Sequence, residues 1–566
     1  MFKPAAFRFL FSRGLFLVIV PLLMAGCFGS SGDVAVDSTL VEVEQGTVAG
    51  TTETLPGGGD MLVWRGVAFA EPPVGDLRFR APQPPVAQEG IIEATEFSPG
   101  CLQDPMSPLA IQNSHGLPVS EDCLYLNIQA PAAAGPHPVM VWIHGGALIS
   151  GSANQSGANP DRLVEEGIVV VTINYRLDTL GYAAHPALTA TSDTEPQGSG
   201  NYGLMDQQLA LQWVQNNIEG FGGDPGNVTI FGESAGGWSV LGLMTMEGSG
   251  GLFGRAIIQS GPITGAQPTL ETAEQQGASR FSSVCPEEAT EAAAQCLREA
   301  DAEDLLAGLA GLGGGVGLIR RPGVLERNVP EALSDGDFVG AQVMKGTNLD
   351  EWRLFEALVQ LVPLFVQYGA EIPPEELEEL ESLDDQIAGD SDAYRSMLIS
   401  RYGPVNESNA DDVVARYPLD DFDTADIAVA AVGTDITFVC PALVNIEQIS
   451  ANVPLYAYEF SDRDAPPLLP VELSDLPLGA AHAVEIPYIL DPAETVAATF
   501  NPDSAALAEA MVTHWATFAR TGNPNPSSGL FPQWDIFLTA GYHELTAPPQ
   551  NNAPVNVPAN HHCDFW

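Results

Sequence analysis

Positive charge is what this chain lacks. Of its 566 residues, 21 are Lys or Arg and 73 are Asp or Glu, a formal net charge of -52. Lysine occurs twice, at Lys3 and Lys345. So acidic a surface repels nucleic acid and anionic lipid headgroups, and neither is expected as a partner. The excess reads as a solvated surface for an external or salty medium, with no catalytic role. Metal-type cysteine patterns are missing too. None of the seven cysteines forms a Cys-x-x-Cys pair, and their spacings fit no zinc site. No metal and no organic cofactor is expected. There is no internal repeat and no second catalytic-looking module. The apolar stretch Leu15 to Met24 is too short to span a membrane and contains Pro21. What is present suffices for a large core, with 45% apolar and 17% charged residues, far from a disordered composition.

Lys3, Arg8 and Arg13 precede that short apolar stretch. Together they read as a secretory signal over residues 1–26. It ends Leu23-Met24-Ala25-Gly26-Cys27, which resembles a bacterial lipoprotein box with Met24 in place of the usual Leu. That resemblance makes Cys27 the lipidated N-terminus of the mature chain. Ordinary secretion after a nearby cleavage is the alternative. Export is expected either way, and membrane contact only through the lipid at Cys27. Residues 27–39 read as a flexible tether, and residues 40–566 as a single domain, in which Val41 to Val48 and Arg255 to Gln259 read as strands and Ala505 to Arg520 as an amphipathic helix. The other cysteines are Cys101, Cys123, Cys285, Cys296, Cys440 and Cys563. They are even in number in an exported chain and are expected to pair; the residues alone leave the connectivity open.

The stretch that carries chemistry is Val228-Thr229-Ile230-Phe231-Gly232-Glu233-Ser234-Ala235-Gly236-Gly237. A β-branched, apolar strand runs into Gly-x-Ser-x-Gly and then a helix, the nucleophile-elbow pattern. Side chains two positions either side of Ser234 would collide in so tight a turn, and Gly232 and Gly236 avoid this. The N–H of Ala235 would then point at an oxyanion beside Ser234. Taken alone, the motif also fits an ordinary Gly-rich turn. A second such turn, His144-Gly145-Gly146-Ala147, follows the apolar strand Pro138 to Ile143. It can present bare N–H groups to the same oxyanion. A serine nucleophile needs a base, and the base an orienting acid, in the α/β-hydrolase order Ser, Asp or Glu, His. Of nine histidines, His482 follows both the elbow and an acidic loop and sits in a Gly/Ala-rich turn. In the acidic loop Asp350 and Glu351 compete for the role of acid.

Further motifs extend the pattern. They are Trp64-Arg65-Gly66-Val67-Ala68-Phe69-Ala70-Glu71-Pro72-Pro73-Val74-Gly75, Leu77-Arg78-Phe79-Arg80, Glu121-Asp122-Cys123-Leu124-Tyr125-Leu126-Asn127 and Cys563-Asp564-Phe565-Trp566. With the turns above and Gly479-x-x-His482-x-x-Glu485-x-Pro487, they resemble the type-B carboxylesterase family of serine esterases across most of the mature chain. That family includes the cholinesterases and bacterial para-nitrobenzyl-esterase-like enzymes. The resemblance implies an α/β-hydrolase fold, with a large, mostly parallel central sheet flanked by helices and with helical cap and gorge insertions. It implies a triad of Ser234, His482 and Glu351, and an oxyanion hole of Gly146, Ala147 and Ala235. Asp350 would then be the exposed neighbour of the acid. Trp352 replaces a usual glycine and is expected to reshape the loop. Glu233 is expected to tune charge beside the nucleophile, and Ser260 to sit against the acid. Arg176 is expected to pair with Asp206, and Arg65 with Glu121. The implied disulfides are Cys101–Cys123, Cys285–Cys296 and Cys440–Cys563.

The implied activity is hydrolysis of small to medium uncharged esters through an acyl-enzyme. In the cholinesterases a tryptophan between the first cysteine pair binds choline. Here the loop from Cys101 to Cys123 holds no Trp, Tyr or Phe, which argues against a cationic substrate. Met106, Leu109 and Ile111 suggest an apolar gorge wall instead. The same catalytic parts would serve an amide, a lactone or a secondary-metabolite ester. A non-catalytic binding protein on this fold is the reading from another class, but such relatives lose triad residues.

Overall fold

The computed structural model describes residues 38–104, 118–154, 159–192, 197–286, 290–307, 316–368, 382–387, 389–467, 473, 476–490 and 499–566. The expected leader, Cys27 and most of the tether lie outside the described residues, as do Met106, Leu109 and Ile111.

Among the described residues, eleven strands form one sheet. In chain order they are β1 (Thr51–Thr54), β2 (Asp60–Ala68), β3 (Tyr125–Pro131), β4 (His137–Ile143), β5 (Val169–Ile173) and β6 (Gly223–Glu233). They continue as β7 (Arg255–Gln259), β8 (Gln342–Asn348), β9 (Leu455–Phe460), β10 (Tyr542–Leu545) and β11 (Pro554–Val555). Side by side the order is β1-β2-β3-β5-β4-β6-β7-β8-β9-β10-β11. From β5 through β10 every pairing is parallel, and the flanking pairings are antiparallel.

The central strands are apolar at almost every position because both faces are covered. Val139, Val141 and Ile143 of β4 enter one apolar layer, and Met140 and Trp142 enter another. Ile230 and Phe231 of β6 divide the same way, as do Ile258 and Ile257 of β7. This is the two-residue period of a strand, with each face packed. Helix α1 (Tyr202–Asn217) and helix α2 (Ala235–Thr245) bring Leu211, Val214, Leu241 and Leu243 to the first layer. Helix α3 (Pro502–Thr521) brings Leu507, Met511, Trp515 and Phe518 to the second.

The strand expected from Val41 to Val48 is instead a hairpin. Leu40–Val43 pairs antiparallel with Gly46–Ala49 across Glu44 and Gln45. Gly46 sits at φ 139°, where a side chain would be strained.

The three disulfides join Cys101 to Cys123, Cys285 to Cys296 and Cys440 to Cys563, as the resemblance implied. Arg176 grips Asp206 with bonds of 2.8 and 2.6 Å, also as implied. The other implied pair is different. Arg65 binds Glu53 across the β1–β2 hairpin. Glu121 is taken by Arg78 through two bonds of 2.6 Å. Arg78 also donates to the carbonyls of Leu297 and Ala300, so it ties three segments together where Arg65 ties two neighbouring strands.

Candidate active site

Ser234 stands between β6 and α2 at φ 55° and ψ -121°. That conformation is costly for a residue with a side chain and persists where its surroundings impose it. Here the imposed contacts are visible. The Ser234 N–H donates to the Gln259 carbonyl at 2.9 Å, and its carbonyl accepts from Trp238 N–H at 3.0 Å. A Cβ on Gly232 would lie 2.6 Å from the Gly236 carbonyl carbon, and one on Gly236 2.0 Å from the Ile143 oxygen. The elbow therefore needs both glycines.

β4 delivers the second turn next to it. His144 is buried, stacks on Tyr175 with centroids 4.3 Å apart, and receives the Tyr175 hydroxyl on its carbonyl at 2.7 Å. Burial pushes the His144 imidazole down to about 4, so it is neutral near pH 7 and shapes the loop without adding charge. Gly146 and Ala147 follow at φ 100° and 57°, both half-buried. Among the described residues, no hydrogen bond engages the N–H of Gly146, Ala147 or Ala235. These three amides remain available to an acceptor.

The acidic loop after β8 and the turn around His482 meet at the same place. Glu351 is fully buried. Its Oε2 lies 2.5 Å from His482 Nδ1, and its Oε1 accepts from Asn348 N–H at 2.8 Å. Glu351, rather than Asp350, therefore faces the imidazole. The other ring nitrogen, His482 Nε2, lies 3.0 Å from Oε1 of Glu233. The contact is close but poorly aligned, and neither atom makes a directed hydrogen bond. No described bond joins His482 to the Ser234 hydroxyl; Nε2 is turned to the neighbouring carboxylate.

Burial pulls the His482 imidazole down, but Glu233, Glu351 and Glu485 outweigh it and raise the pKa to about 9. Burial raises Glu233 well above the usual carboxylate range, with His482 opposing. Both groups thus hold protons more tightly than in water, and they titrate together. Glu485 is also fully buried; it accepts from Gln259 Nε2 at 3.1 Å and Asn348 Nδ2 at 2.6 Å, and burial raises its pKa.

Two expectations about neighbours change. Ser260 is buried at φ 49°, and its N–H binds the Gly346 carbonyl, but its hydroxyl has no hydrogen-bond partner. The acid is served by Asn348 N–H instead. Asp350 is only 6% exposed. It receives Arg353 at 2.8 Å, Arg463 at 2.8 and 2.9 Å, and the Ala480 N–H at 3.2 Å. It therefore braces the acid loop against the turn that carries His482. A cavity of about 500 Å³ is lined by Asp350, Arg353, Tyr417, Arg463 and His561 among others, and by none of Ser234, Glu351 and His482.

Trp352 is packed against the Gly433–Thr434 segment. Its N–H binds Thr434 Oγ1 at 2.9 Å, and its ring occupies the space a Cβ on Gly433 would need. Phe355 and Phe438 flank the His482 ring, with centroids 5.0 and 4.7 Å away. Reading the residues missed both. Phe355 was within reach, one helical turn beyond Glu351. Phe438 was not, because it sits on a π-turn at Asp435–Val439 inside a long apolar helical run.

The profile described as "Carboxylesterase family" matches residues 37–566. The para-nitrobenzyl esterase of Bacillus subtilis (strain 168) is 33% identical over 523 residues, covering 90% of this chain and 93% of that protein. The acetylcholinesterase of Bungarus fasciatus is 30% identical over 572 residues, covering 97% and 88%. A solved structure of PNB esterase superposes with a TM-score of 0.71 at 29% identity, over 94% of this chain and all of that one.

Proposed function

The chain belongs to the carboxylesterase family and is a carboxylic ester hydrolase; from that premise we propose that it cleaves small to medium uncharged esters through a triad of Ser234, His482 and Glu351. The observation that carries this reading is the 2.5 Å contact of Glu351 with His482 Nδ1, beside a serine strained into an elbow. For the reaction His482 Nε2 exchanges Glu233 for the Ser234 hydroxyl. His482 then takes the serine proton as Ser234 Oγ attacks the ester carbonyl. The N–H groups of Gly146, Ala147 and Ala235 bind the oxyanion. The imidazolium, paired with Glu351, returns the proton to the leaving alcohol. Water repeats the sequence on the acyl-enzyme and frees the acid. Phe355 and Phe438 give the base an apolar flank.

The test is turnover of aryl and alkyl esters of increasing acyl length by the native chain and Ser234→Ala. The variant is expected to lose at least ~1000-fold in kcat. Unchanged turnover would sink the triad, and the acyl-length profile of the native chain tests the substrate class. Three disulfides suit an exported protein, and we place a lipid anchor on Cys27. Mass spectrometry of the mature N-terminus checks this: a terminus away from Cys27, or an unmodified Cys27, refutes the anchor.

A further inference from the structure

Lys345 is one of two lysines in the chain, and it is fully buried. A buried ammonium is expensive unless something offsets its lost hydration. β8 carries it six residues before Glu351. Its Nζ donates to the Gly261 carbonyl at 3.2 Å. Gly261 lies directly beneath the nucleophile turn, where a Cβ would stand 2.7 Å from the Ser234 carbonyl oxygen and 2.6 Å from Gly237 Cα. The charge that Lys345 faces is Glu351; burial, the larger effect, drags the amine to about 7, and the carboxylate pulls it back up. Around His482 three buried carboxylates converge, those of Glu233, Glu351 and Glu485. Ser260, the residue expected to support the acid, offers it no bond.

We propose that Lys345 is a positioning residue for ester hydrolysis: its buried amine fastens the Gly261 strand end under Ser234 and adds to the field felt by Glu351. This rests on the triad reading above. One side chain thereby links the acid strand to the nucleophile turn. It also explains how a chain so poor in lysine keeps one in its interior beside a carboxylate group. Where His482 titrates, at about 9, an amine pushed down to about 7 is neutral, so there Lys345 acts on the site through its hydrogen bond and not through charge.

The experiment compares the full-length native chain with Lys345→Met and Ser234→Ala. The methionine preserves length and removes charge. Active-site titration with a phosphonate ester counts correctly folded sites. In Lys345→Met, kcat per titrated site is expected to fall about tenfold or more with KM within about twofold. The acid limb of its kcat/KM profile is expected to stay where it is in the native chain, because the amine is already neutral where His482 titrates. A titratable variant with native kcat overturns the proposal. If Ser234→Ala retains turnover, the triad fails and the role of Lys345 falls with it. If Ser234→Ala is inactive and Lys345→Met is native, Lys345 alone is refuted.

A second measurement decides the matter if Lys345→Met does not fold. Cleavage of the expected leader removes Lys3, so ¹³C-lysine labelling of the mature chain gives one Cε signal, that of Lys345. The Lys345 signal is expected to titrate at a lower pH in Glu351→Gln than in the native chain. An identical midpoint in the two proteins overturns the coupling.

Discussion

At His482 two carboxylates compete for one imidazole. Glu351 binds Nδ1 at 2.5 Å, and Glu233 stands 3.0 Å from Nε2, where the serine hydroxyl has to be during catalysis. A general base must be neutral to accept a proton. Its pKa is raised to about 9, against burial, by carboxylates of which Glu233 is the first. The acid limb of kcat/KM is therefore expected above the usual histidine range of about 6.5. Glu233→Gln removes one anion from Nε2, so the limb should move to lower pH, by about one unit if Glu233 is charged when His482 titrates. Profiles of kcat/KM against pH for one aryl ester, native against variant, check this. An unmoved limb would mean that Glu233 is already protonated and that Glu351 and Glu485 set the base without it. At this scale the sequence was most legible where a motif encodes a backbone need. Gly232 and Gly236 announce the elbow because a Cβ at either position would clash with backbone. The burial of Asp350 was not legible. Its brace includes Arg463, 113 positions away, and nothing local marks that partner.

Elements were readable where burial dictates composition. β4, β7 and β9 emerge as mainly apolar runs because a parallel sheet covered on both faces leaves few polar positions. β7 has the bounds read from sequence, Arg255 to Gln259. The helix expected from Ala505 to Arg520 extends to Pro502–Thr521, with Asn501 capping its first turn. Reading failed where one residue sets geometry or where partners come from afar. Gly46 folds a single expected strand into a hairpin. Arg65 and Arg78 occupy similar-looking motifs, and only the fold decides which reaches Glu121. Phe438 reaches the base through a π-turn, a one-residue irregularity with no compositional mark. The triad is thus legible as chemistry, while the walls around it depend on how distant elements dock. That is why the reaction type could be read further than the substrate.

For the whole molecule, the C-terminal tail is a structural part of the site's surroundings. Cys440–Cys563 closes 123 positions, and Cys285–Cys296 closes 11. The tail is also latched by His561, whose Nδ1 lies 2.5 Å from Asp435 and Nε2 2.8 Å from Glu459. Asp435 begins the π-turn that carries Phe438 against His482. In the chain-entropy account, stabilisation grows with the logarithm of the loop, so the long bridge should be worth about 2 kcal/mol more than the short one. The double variant Cys440→Ser/Cys563→Ser is therefore expected to unfold at lower denaturant than Cys285→Ser/Cys296→Ser. The His561 latch gives the comparison a pH signature. Burial alone would lower its pKa, but Asp435 and Glu459 raise it to about 10. A raised folded value means stability that is complete below the unfolded pKa of about 6.5 and is lost as pH rises through the folded value. Without the long bridge the tail depends on that latch. The gap between the two double variants should widen from pH 6 to pH 10, read as urea midpoints at each pH. A constant gap would show that the latch does not carry the tail. A reversed order at pH 6 would show that loop length is not what makes the long bridge stabilising.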